Sequence, residues 1–196
     1  MGNTFNRTYS NRRSTFDFDL TKDFDMDAFK NVIKLFSSNM PSKQFEFPYQ
    51  IDILDWSDRQ LRKDIFYGTM PGGDTIKCKF NNQVLAPVLV CFTQELPGEY
   101  IAPIEIGMAL MSLTYLLQSN GFLTSFCQCI EDPNYLGPRI TGKDNTTLRV
   151  ILPVGQHAYP EGTHTIPNPF GESIVAKWNS LRLETPNIKY QIDTSK

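Results

Sequence analysis

Residues 101–121 read IAPIEIGMALMSLTYLLQSNG, and the reading of this stretch decides the fold. Pro103 suits the first turn of a helix, where its missing N–H costs nothing, and Gly121 suits the stop. Apolar residues run all round the helix between them, with Glu105 as the sole charge. Such a helix must be enclosed by protein. The apolar run from Ile101 to Leu117 falls short of the roughly 20 residues that span a bilayer, so it reads as a core helix and not as a membrane segment.

Outward from that helix, elements of both kinds appear. Phe29, Val32, Ile33 and Phe36 recur at helical spacing, with Asp25 or Asp27 placed to cap the start. Pro41 stops this helix. Tyr49, Ile51 and Ile53 alternate as in a strand. Ser57 and Gln60 form a capping box before Leu61 and Ile65, and Gly68 ends that short helix. Residues 70–74 (MPGGD) are a turn or loop. Val84 to Phe92, Phe122 to Ile130 and Thr147 to Val154 are predicted strands. A Gly/Pro/His-rich loop from Gly155 to Phe170 is followed by a predicted helix from about Glu172 to Leu181. Interspersed helices and strands favour an α/β or α+β sandwich over an all-β or bundle fold.

The chain of 196 residues suits one domain, 1–196, with an extended N-terminal segment (1–22) and a C-terminal arm (187–196). A hydrophobic content of 40% and a charged content of 20% are those of an ordinary globular protein. A net charge of −2 gives no electrostatic reason to expect nucleic acid or an acidic membrane as partner. The polar first residues lack the apolar core of a secretory signal, and Asn6 stands where myristoylation wants Ser or Thr. Cys78, Cys91, Cys127 and Cys129 show no framework spacing and read as reduced, buried thiols of a cytoplasmic protein.

The chain has no phosphate-binding glycine loop, no serine elbow and no paired metal-ligand spacing, and His157 and His164 are its two histidines. No catalytic residue and no metal ligand can be named. The acidic residues at positions 17, 19, 23, 25 and 27 read as a solvated face plus helix capping.

Four separated segments, taken in order, resemble the nitroreductase family of flavoproteins. Arg12-Arg13-Ser14-Thr15-Phe16 is similar to the basic R-x-S-x-R/K stretch with which that family grips the phosphate of flavin mononucleotide (FMN). Met40-Pro41-Ser42 through Pro48-Tyr49 keeps the spacing of its A-P-S-x-x-N-x-Q-P-W signature. The apolar helix ending in Gly121-Phe122 is similar to its central helix, and Leu152-Pro153-Val154-Gly155 to its L-P-V-G turn. A weaker fifth match is Arg182-Leu183 followed by Pro186-Asn187-Ile188, near the family's closing basic motif and C-terminal arm.

The resemblance implies an α+β fold with a mixed sheet sandwiched by helices and an exchanged C-terminal arm, in a homodimer with FMN at a two-fold interface, NAD(P)H as hydride donor and a small electron acceptor. It assigns Arg12, Arg13, Ser14, Ser42, Phe45, Phe47, Pro153, Gly155 and Arg182 to the cofactor site. The chain departs from the pattern at several of these. Phe16 replaces the second basic residue, Phe45 and Phe47 stand where Asn and Gln bind the flavin ring, and Ser180 stands where Lys is common. Only Thr93 to Ala102 joins strand to central helix, so the family's helical cover excursion is missing. Taken as residues alone, Phe45 and Phe47 read as core packing, Arg12 and Arg13 as surface charges, and Pro153 and Gly155 as a turn. Two readings follow: an FMN-dependent oxidoreductase, and a flavin-free protein of the same fold with a structural or interaction role.

Overall fold

Asp25 opens the first helix by accepting the Ala28 N–H at 2.9 Å. A computed structural model describes residues 13–40, 42, 46–69, 81–98 and 100–178 of the chain. In it α1 (Met26–Ser37) buries Phe29, Val32 and Phe36, as the helical spacing requires. There follow β1 (Gln50–Leu54), α2 (Arg59–Gly68), a 3₁₀ turn (Asn82–Leu85), β2 (Val88–Glu95), α3 (Ala102–Ser119), β3 (Leu123–Thr124), α4 (Pro133–Thr141), β4 (Thr146–Gly155), β5 (Gly162–Ile166) and β6 (Ile174–Trp178).

The main sheet has the order β1-β2-β4-β3, and its named neighbours pair antiparallel. Ser14 adds a parallel bridge to Thr124, which makes the sheet mixed. Side-chain alternation along the strands divides the core into two layers. Val88, Val90, Phe92, Leu152 and Val154 face α1 and α3. Leu89, Cys91, Leu148 and Ile151 face α2 and α4. A bulge keeps both layers apolar along β4. Phe92 pairs with Val150 while Thr93 pairs with Leu148, so Arg149 is left over and turns to solvent. The predicted sandwich is thus present, and only residues 96–101 join β2 to α3, without the cover excursion.

Several sequence expectations give way. The strand predicted from Val84 starts at Val88, because Pro87 bars Ala86 from helix and lacks an N–H; Asn82–Leu85 forms the 3₁₀ turn instead. The cap of α2 is Asp58, which accepts the Leu61 N–H, while Ser57 bonds back to Asp55. Past Thr124 the predicted strand shrinks to a single bridge, Cys127 with Ile151. The loop after Gly155 contains β5. The predicted Glu172–Leu181 helix is in fact β6 over 174–178, where the β-branched pair Ile174-Val175 finds a partner strand. Helix α4 was not foreseen; Asp132 caps it by accepting the Asn134 and Tyr135 N–H groups, and Gly142 ends it with φ of 72°. Met70 to Asp74, Cys78, Pro41 and the arm 187–196 lie outside the described residues. Cys91 and Cys127 are buried and free, as expected, and Cys129 is half-buried.

Helix α3 is only partly enclosed. Glu105, Ile106, Ala109, Leu113 and Leu117 point inward, but Ile104 and Met108 are 56% and 52% exposed, and Tyr100 just ahead of the helix is 83% exposed. No described helix is long and apolar enough to cross a membrane.

Candidate functional site

Helix α3 serves as a ruler for the residues that the sequence singled out. At its first turn, Ser42 Oγ donates to Glu105 Oε2 at 3.1 Å and accepts the Phe47 N–H at 3.0 Å. At its last turn, Gln118 Nε2 donates to the Arg13 carbonyl at 3.2 Å and to Thr124 Oγ1 at 2.9 Å. Gln118 lies thirteen positions after Glu105, a rise of about 20 Å along the helix axis. Arg13, Ser14, Pro153 and Gly155 gather at the second end. Ser42 and Phe47 belong to the first. Arg12, Phe45 and Arg182 lie outside the described residues.

The Arg13 end has a definite construction. The Thr15 N–H bonds to the Thr124 carbonyl, Asp19 N–H to the His157 carbonyl and Tyr159 N–H to the Asp17 carbonyl, which lace residues 14–19 onto the sheet. Phe18 then lies over Gly155; a Cβ there would come within 2.5 Å of the Phe18 ring. Gly155 is therefore needed for ring packing. Pro153 uses its carbonyl to accept the Ser125 N–H at 3.2 Å.

Beside this lies a feature that the sequence reading missed: Asn81, Asn82 and Gln83, all buried, on the 3₁₀ turn before β2. Asn81 Nδ2 donates to Cys127 Sγ at 2.8 Å, Ser125 Oγ donates to Gln83 Oε1, and Asn82 Nδ2 donates to Asp17 Oδ1 at 3.3 Å. Asn82 Oδ1 is buried and has no partner among the described residues. An acceptor left in that state costs about 1–3 kcal/mol, which a ligand N–H would recover. The signal in the sequence was three consecutive amides ahead of an apolar strand.

Asp17 does not fit the expectation of a solvated acidic face, since it is 3% exposed. Burial raises its carboxyl above the ordinary value, against the lowering effects of the Asn82 hydrogen bond and of His164. A group raised on folding contributes stability that is whole below its unfolded pKa and is lost as pH rises through the folded one. Asp17→Asn, which keeps the shape without the charge, is expected to match the wild type in melting temperature in acid and to exceed it at neutral pH. Parallel melting curves across that range would refute this.

The rest of the described chemistry is quiet. Burial pushes the Cys127 thiol up to about 12, so it is no nucleophile at neutral pH. The His164 ring stacks on Tyr159 with centroids 5.1 Å apart. No group of metal-ligating side chains occurs among the described residues.

Comparison with solved structures agrees with the architecture. A nitroreductase with bound FMN from Bacteroides fragilis NCTC 9343 superposes with a TM-score of 0.68 at 14% identity, covering 97% of this chain and 100% of that one. The chain has the nitroreductase fold. A nitroreductase family protein from Clostridium novyi NT gives 0.63 at 18% identity over 78% of this chain and 84% of the other. The FMN-dependent nitroreductase NfnB from Mycobacterium smegmatis, in complex with NADPH, gives 0.61 at 11% over 80% and 88%. No family model matches the sequence, and no curated protein does.

The described residues of this nitroreductase fold fit an FMN group in donor chemistry. Arg13 is exposed and Ser14 half-buried, and both carry groups that can donate to a phosphate. The orphaned Asn82 Oδ1 suits a ring N–H. At Gly155 the Phe18 ring occupies the place a Cβ would take.

Proposed function

We propose that the chain is an FMN-dependent oxidoreductase working as a homodimer. It would take hydride from NAD(P)H and pass electrons to a small acceptor. One observation carries the reading: the described motif residues divide between the two ends of α3, about 20 Å apart by the helical rise, which favours a site completed by a second copy. A two-fold axis across α3 brings the Ser42 end of one copy to the Arg13 end of the other. The outward face of α3, with Ile104 and Met108 exposed, suits such a contact. The flavin would supply the redox chemistry; this chain's part is to hold the phosphate (Arg12, Arg13, Ser14 and Arg182) and to meet the ring edge with Asn82. The arm 187–196 would pack on the second subunit.

The flavin-free reading is favoured by Phe18 over Gly155 and by Phe47 in the place of a ring-binding Gln. The two readings separate by colour. Purified protein with near-stoichiometric flavin absorbance, retained more than tenfold less well after Arg12→Ala or Arg182→Ala, is the result expected of the oxidoreductase. Colourless protein that ignores added FMN would establish the other.

A further inference from the structure

Asp17 keeps a carboxyl where the fold gives it little support. It is almost fully buried, and the ion pairs of the described residues do not include it. Its one described side-chain donor is Asn82 Nδ2, sixty-five positions away in the chain, at 3.3 Å. An asparagine at position 17 could accept that same bond without a buried charge, so the bond alone does not account for an acid. The backbone does not account for it either. The Asp17 carbonyl accepts the Tyr159 N–H at 3.1 Å, which any residue could do.

What only a carboxylate supplies is direction. An ionised carboxylate accepts and cannot donate, so it selects the NH₂ end of the Asn82 amide. Asn82 Oδ1 is then the end left over, and it is the buried oxygen without a partner among the described residues. An asparagine at 17 carries a donor and an acceptor and could pair with either end. Both partners are held in place from elsewhere. The Thr15 and Asp19 N–H bonds fix the segment around Asp17 on the Thr124 and His157 carbonyls. Arg62 ties down the 3₁₀ turn of Asn82 through the Val84 and Ala86 carbonyls. The flanking amides are already engaged, Asn81 with Cys127 and Gln83 with Ser125.

We propose that Asp17 is a positioning residue for the cofactor: it sets the Asn82 amide so that Oδ1, and not the NH₂ group, meets the ring N–H of FMN. The inference rests on the FMN reading above and adds to it a residue that acts through Asn82. Oxidised flavin has a single ring N–H, at N3, so the match is to one edge of the ring.

The test uses the full chain and two ligands, FMN and 3-methyl FMN, in which a methyl group replaces that proton. Quenching of flavin fluorescence gives the Kd of each. The wild type should prefer FMN by about tenfold or more. Asp17→Asn should bind FMN about fivefold or more weakly and 3-methyl FMN as before, so that the preference shrinks. In an Asn82→Ala background the same substitution should alter neither affinity, because the group that Asp17 directs is gone. A purely structural role would move both flavins alike. Equal losses for the two flavins overturn the proposal, as does a preference unchanged by Asp17→Asn or an effect that persists without Asn82. A wild type that binds FMN with no preference overturns it too, while leaving the oxidoreductase reading in place. A wild type that binds neither flavin overturns that reading and the role of Asp17 together.

Discussion

Arg62→Met is expected to destabilise the fold by about 3 kcal/mol or more, among the largest effects of any single change in this chain. Arg62 is 1% exposed, yet it sits in the α2/α4 layer of the core. Its guanidinium donates to the carbonyls of Leu54 (3.2 Å), Val84 (3.0 Å) and Ala86 (2.5 Å), and its carbon lies 4.2 Å over the Trp56 ring. Burial pulls its pKa down to about 9, so it stays charged at neutral pH. Two of those carbonyls end the 3₁₀ turn, where Pro87 supplies no N–H and sheet pairing has yet to begin. Methionine fills most of the space but leaves three buried acceptors unpaired, at about 1–3 kcal/mol each before relaxation. Arg62→Lys should fall between, because one ammonium cannot reach carbonyls on both sides of its stem. The change also reaches the candidate site, since the same turn carries Asn81, Asn82 and Gln83. Urea denaturation reads the effect. A midpoint near that of the wild type for Arg62→Met would show that the turn is held by something else.

The sequence displayed the architecture wherever a periodic apolar pattern was long. The helix of residues 102–119, the strand of 146–155 and the Phe29–Phe36 helix all fall where their spacing put them, because burial of one face or all faces leaves a regular trace. Short elements were missed. Residues 174–178 carry a helical pattern in the sequence because their strand partner, 162–166, hides in a stretch full of Gly and Pro, and pairing across a hairpin leaves no local mark. The site was half legible. Motif order placed Ser14, Ser42, Phe47 and Gly155 in one family pattern, but sequence order cannot say which of them share an end of the molecule. That Phe18 packs against Gly155 leaves no mark in the sequence, since the two are far apart in the chain. Asn82 and Arg62 were invisible for a common reason. A buried polar residue looks like a surface one until its partners, here Asp17 and three backbone carbonyls, are brought in from distant segments.

The double variant Ile104→Asp, Met108→Asp is expected to turn a dimer into a folded monomer. Within a single chain both side chains are more than half exposed, so the change should leave the core of the protomer intact. Across a two-fold contact the same two positions count twice. At about 1.5 kcal/mol for each of four buried side chains per dimer, the loss is roughly 6 kcal/mol, or about ten-thousandfold in Kd, before any cost of burying carboxylates. A contact of this kind needs well over about 2,000 Å² in total to behave as an obligate dimer, more than the exposed stripe of α3 offers alone. The arm 187–196, with Ile188, Tyr190 and Ile192 alternating, is the part of the chain suited to supply the remainder. Ending the chain at Thr185 should therefore weaken the dimer as well, with the double variant the more severe of the two. Light scattering at micromolar concentration gives the mass, and circular dichroism confirms that the protomer stays folded. If the site is completed across the two-fold, flavin retention should fall with the dimer and not with protomer stability. A double variant that remains dimeric, or a monomer that keeps its flavin, would break the link between the apolar face of α3 and the site at its ends.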